Sequence, residues 1–382
     1  KKERIYRENL EEANTEIQRI MNQRERLLLT ITHDIKAPVA SMSGFIDLMR
    51  EHVSDEKGMN YIDNIRKPIQ NEMQLFAKTF AESLSTDNPM LLSVNEYVLQ
   101  KSGKQLRPMM ALLSAKLCGE VNETTIYGAL SLELLHTASL IHDDVVDDSD
   151  ERRGKPSVNA RWTNKIAILS GDYILSKALG CVTKTDSLQI LKSVANIGMQ
   201  LSDGELLQLA SAQASKISEE NYFTVIRKKT ALLFSTCTEV GGLSVNATED
   251  QLAHLRNFGE YLGICFQIKD DIFDYSDSVQ IGKPTGNDIR DGKVTLPLIF
   301  ALRNSVGITK ETILEYIDQK DFSPENIHNI TSFVHENGGV AYAEDQMELY
   351  KNKAIEELNG FADGDVKKSL ILCAEFAASR SN

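Results

Sequence analysis

An apolar, helix-like run that ends in three aspartates occurs twice in this chain, and any fold it adopts has to accommodate both. The first reads Leu-Ile-His-Asp-Asp-Val-Val-Asp, with Asp143, Asp144 and Asp147. The second reads Gln-Ile-Lys-Asp-Asp-Ile-Phe-Asp, with Asp270, Asp271 and Asp274. Residues four apart share a helix face, so Asp143 projects with Asp147 and Asp270 with Asp274. Carboxylates gathered on an apolar helix repel one another and cost burial energy. A positive partner is needed. Mg²⁺ with a diphosphate meets that need, because Mg²⁺ takes oxygen ligands, keeps waters and is held by one or two carboxylates plus phosphates. Two such walls facing each other would clamp one diphosphate from both sides. One copy alone would read as a solvated helix end. Two copies, each among apolar residues and each followed by basic ones, point to a metal–diphosphate site.

The 382 residues leave room for two or three domains, and 42% hydrophobic content supports a full core. A net charge of −13 excludes a general nucleic-acid binder, so an anion site has to be locally basic. Cys118, Cys181, Cys237, Cys265 and Cys373 are far apart, with no Cys-x-x-Cys, which fits buried thiols in a reducing, cytoplasmic setting. No apolar run approaches the length of a membrane span, and no secretory leader is visible.

Residues 1 to about 52 read as one long polar helix with a short coiled-coil seam through Leu10, Ala13, Ile17, Ile20, Leu27 and Ile31, interrupted by Arg24. A break near Ser54–Gly58 precedes a second, shorter helical stretch from Met59. From Pro68 onward helical patterns recur over 68–84, 88–101, 106–118, 123–146, 158–179, 186–212, 219–241, 249–275, 293–303, 309–318, 323–336, 338–358 and 364–380. Strand alternation is almost absent. The expectation is an all-α domain of many packed helices, punctuated at Gly103, Gly119, Gly154–Pro156, Gly282–Gly286 and Gly338–Gly339.

Basic and polar residues flank both acidic segments. Before the first lies Gly103-Lys104-Gln105-Leu106-Arg107-Pro108, where Lys104 is a point charge and Arg107 a planar fork for phosphate oxygens; alone it would read as a basic helix start. After it come Arg152 and Arg153, either two anion ligands or a charged loop with Glu151. Lys228, Lys229 and Thr230 offer cation plus hydroxyl, or else a solvated basic turn. Lys283, Asp288 and Lys293 belong to a Gly-rich loop after the second segment, without the spacing of a nucleotide-binding loop. His136 lies two helical turns before Asp143 on the same face, as a phosphate donor or a satisfied core histidine; His142 reads as structural. Gln267, three before Asp270, faces the same groove.

Taken together, Gly-Lys-Gln-Leu-Arg-Pro, Asp-Asp-Val-Val-Asp with Arg152-Arg153-Gly154, Lys229-Thr230, Phe-Gln-Ile-Lys-Asp-Asp-Ile-Phe-Asp and Gly-Lys-Pro-Thr-Gly-Asn-Asp resemble the trans-isoprenyl diphosphate synthases of the long-chain (octaprenyl-like) kind over about 67–382. The resemblance implies an all-α isoprenoid-synthase bundle around a central cavity and a homodimer. It also implies roles. Asp143, Asp144, Asp147, Asp270, Asp271, Asp274 and Lys229 become candidate catalytic residues, with Asp143, Asp147 and Asp270 as Mg²⁺ ligands. Lys104, Arg107, His136 and Arg153 would hold isopentenyl diphosphate; Arg152, Lys229, Thr230, Gln267 and Lys283 would hold the allylic diphosphate. In this family a bulky aromatic five residues before the first aspartate closes the product tunnel, so the small Ala138 and Ser139 imply a long product, delivered to a membrane.

Residues 1–66 tell a different story. Leu29-Thr30-Ile31-Thr32-His33-Asp34-Ile35-Lys36-Ala37-Pro38 resembles the H-box of histidine-kinase dimerisation domains, which makes His33 a candidate phosphoacceptor, but no ATP-binding domain follows. Two alternatives to the synthase remain: a class I terpene cyclase, and a signalling or scaffold protein built on the His33 hairpin. The duplicated aspartate segment and the Lys104/Arg107 pair argue against the cyclase, and intact catalytic positions argue against the scaffold.

Overall fold

The computed structural model describes residues 56–100, 105–152, 154–211, 217–275 and 286–379. His33, Lys104, Arg153 and Lys283 therefore lie outside the described residues, as do the N-terminal coiled-coil seam and the H-box. Two compact units divide the chain, Lys1–Met59 and Asn60–Asn382.

Helices build the described part: α1 (Glu56–Arg66), a 3₁₀ turn, α2 (Gln70–Ser83), α3 (Pro89–Leu99), α4 (Leu106–Cys118), α5 (Glu123–Val146), α6 (Val158–Arg161), α7 (Asn164–Thr183), α8 (Leu188–Ser211), α9 (Glu219–Ile226), a π-helical turn (Arg227–Ala231), α10 (Leu232–Ser244), α11 (Glu249–Phe273), α12 (Asn287–Arg290), α13 (Leu296–Asn304), α14 (Ile308–Gln319), α15 (Pro324–Glu336), α16 (Gly339–Glu357) and α17 (Asp365–Ser379). Among the described residues the only strands are β1 (Glu151–Arg152) and β2 (Lys155–Pro156), paired antiparallel.

The two acidic segments end two long helices, of 24 and 25 residues. α5 starts at a capping box between Asn122 and Thr125, runs through an almost wholly buried apolar stretch, and is C-capped by Asp147. α11 starts at a capping box between Thr248 and Gln251 and is C-capped by Asp274. α5 packs on α4, α7 and α10; α11 packs on α10 and α16. The approach of α11 to the π turn is close: a Cβ on Gly263 would sit 2.5 Å from Ala231 Cα. A separate apolar cluster, with Tyr275, Ile289, Leu302, Ile317, Ile330 and Phe333, seats α12 to α15 behind the end of α11.

Three sequence expectations change. The 158–179 run is broken, because Thr163 folds back to cap α7 through Ile166 N–H and ends α6 at Trp162. The 219–241 run contains the π turn. Helix α7 is long and apolar enough to cross a membrane by length and composition, contrary to the sequence expectation. It packs lengthwise on α5 and carries Asp172, which His142 approaches to 3.5 Å. His142 also fills the space that a side chain on Gly171 would need, which makes it a packing residue of the α5–α7 contact. All five cysteines are free thiols, four of them buried.

Candidate active site

Both acidic segments sit at helix C-termini, where the macrodipole is negative, and neither last turn carries a basic residue. Within each segment the carboxylates divide their tasks. Asp144 is buried, and its Oδ1 accepts from Arg152 Nε at 2.7 Å. Asp271 is buried and accepts twice, from Tyr222 Oη (2.7 Å) and Gln267 Nε2 (2.9 Å). Asp274 Oδ2 accepts the backbone N–H groups of Asp288 (3.0 Å) and Ile289 (3.3 Å), so it caps α12. Asp143 and Asp270 are half-buried, and Asp147 is exposed. Burial, the nearby Glu205 and Asp147 push Asp143 up to about 6, although Lys229 and Arg152 pull it down.

Arg152 is carried by the β1–β2 hairpin. Tyr97 of α3 holds that hairpin by donating to the Pro156 carbonyl at 2.7 Å. The Arg161 guanidinium stacks over Tyr97 (4.3 Å) and Trp162 (5.1 Å) beside it.

The π turn lies between the two walls. Lys229 pairs with Glu205 and donates to Gln208 Oε1 at 3.0 Å, and its charge acts on Asp143 of the first segment. Its neighbour Thr230 donates to Gln267 Oε1 at 2.8 Å, and Gln267 in turn holds Asp271 of the second. A π turn inserts one residue into the helical ladder, and such turns gather at functional sites. Gly204 lets α8 come this close: a Cβ there would meet Lys228 Cβ at 2.8 Å. Lys293 closes the arrangement. It bonds Asp288 (3.3 Å) and Asp291 (3.1 Å), and burial, which disfavours its charge, is outweighed by those two and by Asp147 across the gap. The two acidic helix ends thus share one electrostatic field.

Arg107 stacks over Phe234 at 5.1 Å. Burial pulls it below its ordinary value against the fields of Glu133, Cys237 and Asp270. Its Nε is buried and finds no acceptor among the described residues. His136 is half-buried on α5, and its carbonyl accepts from Ser139 Oγ at 2.9 Å. Ala138 is buried at 2% exposure.

A polyprenyl synthetase family model matches residues 88–334. The chain belongs to that family. It is a trans-prenyltransferase making a polyprenyl diphosphate. It is 35% identical to octaprenyl diphosphate synthase of Haemophilus influenzae over 321 residues, which cover 84% of this chain and 97% of that one. It is similar to a solved decaprenyl diphosphate synthase from Rhodobacter capsulatus (TM-score 0.80, 32% identity, 84% of this chain and 99% of that one). It is also similar to a polyprenyl synthase from Caulobacter crescentus solved with calcium and isoprenyl diphosphate (TM-score 0.79, 30% identity, 84% and 98%).

The carboxylate oxygens of the synthase are of the donor type that a divalent ion bound together with phosphate takes. Among the described residues no three ligating side chains converge on one point. Mg²⁺ asks for less than that, one or two carboxylates with waters and substrate phosphates. Half-buried Asp143, held far from its usual range at a negative helix pole, has the donor chemistry and the charge deficit that such an ion would relieve. Sequence reasoning missed Tyr222, Glu205 and Gln208. Tyr222 lies seven residues before Lys229, but the π turn between them breaks the helical spacing, so spacing alone did not mark it. Glu205 and Gln208 follow no basic or acidic repeat, and only the packing of α8 reveals them.

Proposed function

We propose that this chain is a Mg²⁺-dependent synthase that condenses isopentenyl diphosphate with an allylic diphosphate into a long all-trans polyprenyl diphosphate. The observation that carries this reading is the adjacency of Lys229 and Thr230, one acting on each acidic wall. Asp143, Asp147 and Asp270 would hold the metal, which supplies Lewis-acid stabilisation of the departing diphosphate. Arg152, Lys229 and Lys283, with Thr230 and Gln267 beside them, would form the allylic diphosphate site, and Lys104, Arg107, His136 and Arg153 the isopentenyl one. Apolar packing around α5 excludes water from the allylic cation. The allylic C–O bond breaks and its electron pair leaves with diphosphate. The isopentenyl double bond then supplies the pair for the new C–C bond, and a proton is lost to the released diphosphate. The small Ala138 and Ser139 leave the chain room to grow.

The proposal takes residues 67–382 as the synthase domain, working in the cytoplasm as a homodimer. For 1–66, the H-box pattern supports a histidine-kinase-like dimerisation segment with His33 as phosphoacceptor. Incubation with a histidine-kinase ATP-binding domain and labelled ATP tests that part, and no label on His33 refutes it. The main test incubates the protein with farnesyl diphosphate, labelled isopentenyl diphosphate and Mg²⁺ and sizes the lipid. A labelled polyprenyl product that disappears with chelator is expected. A cyclic hydrocarbon would indicate a terpene cyclase, and absence of turnover a scaffold.

A further inference from the structure

The hydrogen bonds around the second acidic segment have a direction, and a residue outside both segments sets it. Tyr222, on α9 and only 7% exposed, donates to Asp271 Oδ2 at 2.7 Å. Gln267 Nε2 donates to the other oxygen at 2.9 Å, and Thr230 Oγ donates to Gln267 Oε1 at 2.8 Å. Gln267 turns its NH₂ toward Asp271 and its carbonyl oxygen toward Thr230. The Thr230 hydroxyl hydrogen is then committed, and Thr230 has only oxygen lone pairs to offer the space between the walls. Asp271 is nearly sealed from water at 2% exposure, so the loss of one of its two donors cannot be made good by solvent. Without Tyr222 the carboxylate is free to turn, the Gln267 amide loses its reason to face one way, and the last turn of α11 loses its brace.

We propose that Tyr222 is a positioning residue for prenyl transfer, acting through Asp271 and Gln267 to fix the end of α11 and the donor direction at Thr230. This rests on the prenyltransferase reading above. The test compares wild type, Tyr222→Phe, Asp271→Leu and the double variant, because leucine, unlike asparagine, leaves no acceptor for the tyrosine hydroxyl. Calorimetry follows the binding of inorganic pyrophosphate with Mg²⁺, and steady-state rates are measured for both substrates. Tyr222→Phe should weaken Mg²⁺–pyrophosphate binding and lower kcat by about tenfold each, the scale of a buried hydrogen-bond partner left unsatisfied. KM for isopentenyl diphosphate should not move, and the tyrosine change should add nothing in the Asp271→Leu background. Unchanged affinity and kcat overturn the proposal. So does an equal loss in both backgrounds, which would mean that Tyr222 acts by packing alone. Gln267→Met probes the same chain from its middle, and unchanged pyrophosphate affinity there overturns it as well. If wild type itself does not turn over, the prenyltransferase reading fails and the Tyr222 proposal falls with it; an active wild type with an unaffected Tyr222→Phe removes this proposal only.

Discussion

At the scale of single residues, the site is a set of carboxylates held where they are not comfortable. Asp143 is the clearest case, sitting near 6 rather than near 3.8 because burial and Glu205 oppose its charge. The folded protein therefore binds this proton more tightly than the unfolded chain. Its stabilising contribution is present below pH 4 and is lost as pH rises through 6. In metal-free protein, Asp143→Asn should remove roughly 1–3 kcal/mol of that pH dependence. Urea unfolding of the two proteins between pH 4.5 and 7.5 measures it, and parallel pH profiles would refute it. The motif aspartates and Lys229 were legible from residue type and spacing alone. Tyr222, Glu205 and Gln208 were not, because a neutral phenol or a lone acid says nothing until tertiary packing sets it against a partner.

At the scale of elements, the π turn and its two neighbours decide where the chemistry can sit. α11 presses against the turn at Gly263, one helical turn before Gln267. A Cβ there meets Ala231 backbone at 2.5 Å, so helix or turn has to move. Gly263→Ala should cost about 1–3 kcal/mol and part Gln267 from Thr230. Thermal melts paired with kcat would show the two losses together; a stable variant with normal kcat would contradict the role assigned to this contact. The end of α4 was readable from sequence because Gly119 punctuates it. The π turn was not, because Arg-Lys-Lys-Thr-Ala carries no pattern that distinguishes a five-residue turn from an ordinary one. The break at Trp162 was hidden for a similar reason: helical spacing continues through Thr163, and only the cap reveals that the threonine starts a new helix.

At the scale of the whole molecule, two consequences follow from what is buried and what is not. Ala138 is sealed inside α5, five residues from Asp143, so Ala138→Phe should shorten the product without abolishing turnover. Chromatographic sizing of the labelled lipids reads this directly, and an unchanged length distribution would remove Ala138 as the determinant. The outer faces of α7 and α8 expose Leu169, Leu179, Met199 and Leu206, an apolar surface unusual for a protein on its own. Leu169→Glu with Leu206→Glu should turn the expected homodimer into monomer in sedimentation velocity; a persistent dimer would move the interface elsewhere.

The concentration of like charge at two negative helix poles has a further effect, on how long each molecule survives. A ligand that binds only the native form adds RT ln(1 + [L]/Kd) to its stability. An enzyme whose resting state carries unrelieved repulsion gains more than most from that increment. Starved of metal and substrate, it opens more often and meets proteases sooner; supplied with both, it persists. The cell's stock of this protein would then follow the flow of material through it, with no regulator needed beyond the charges themselves.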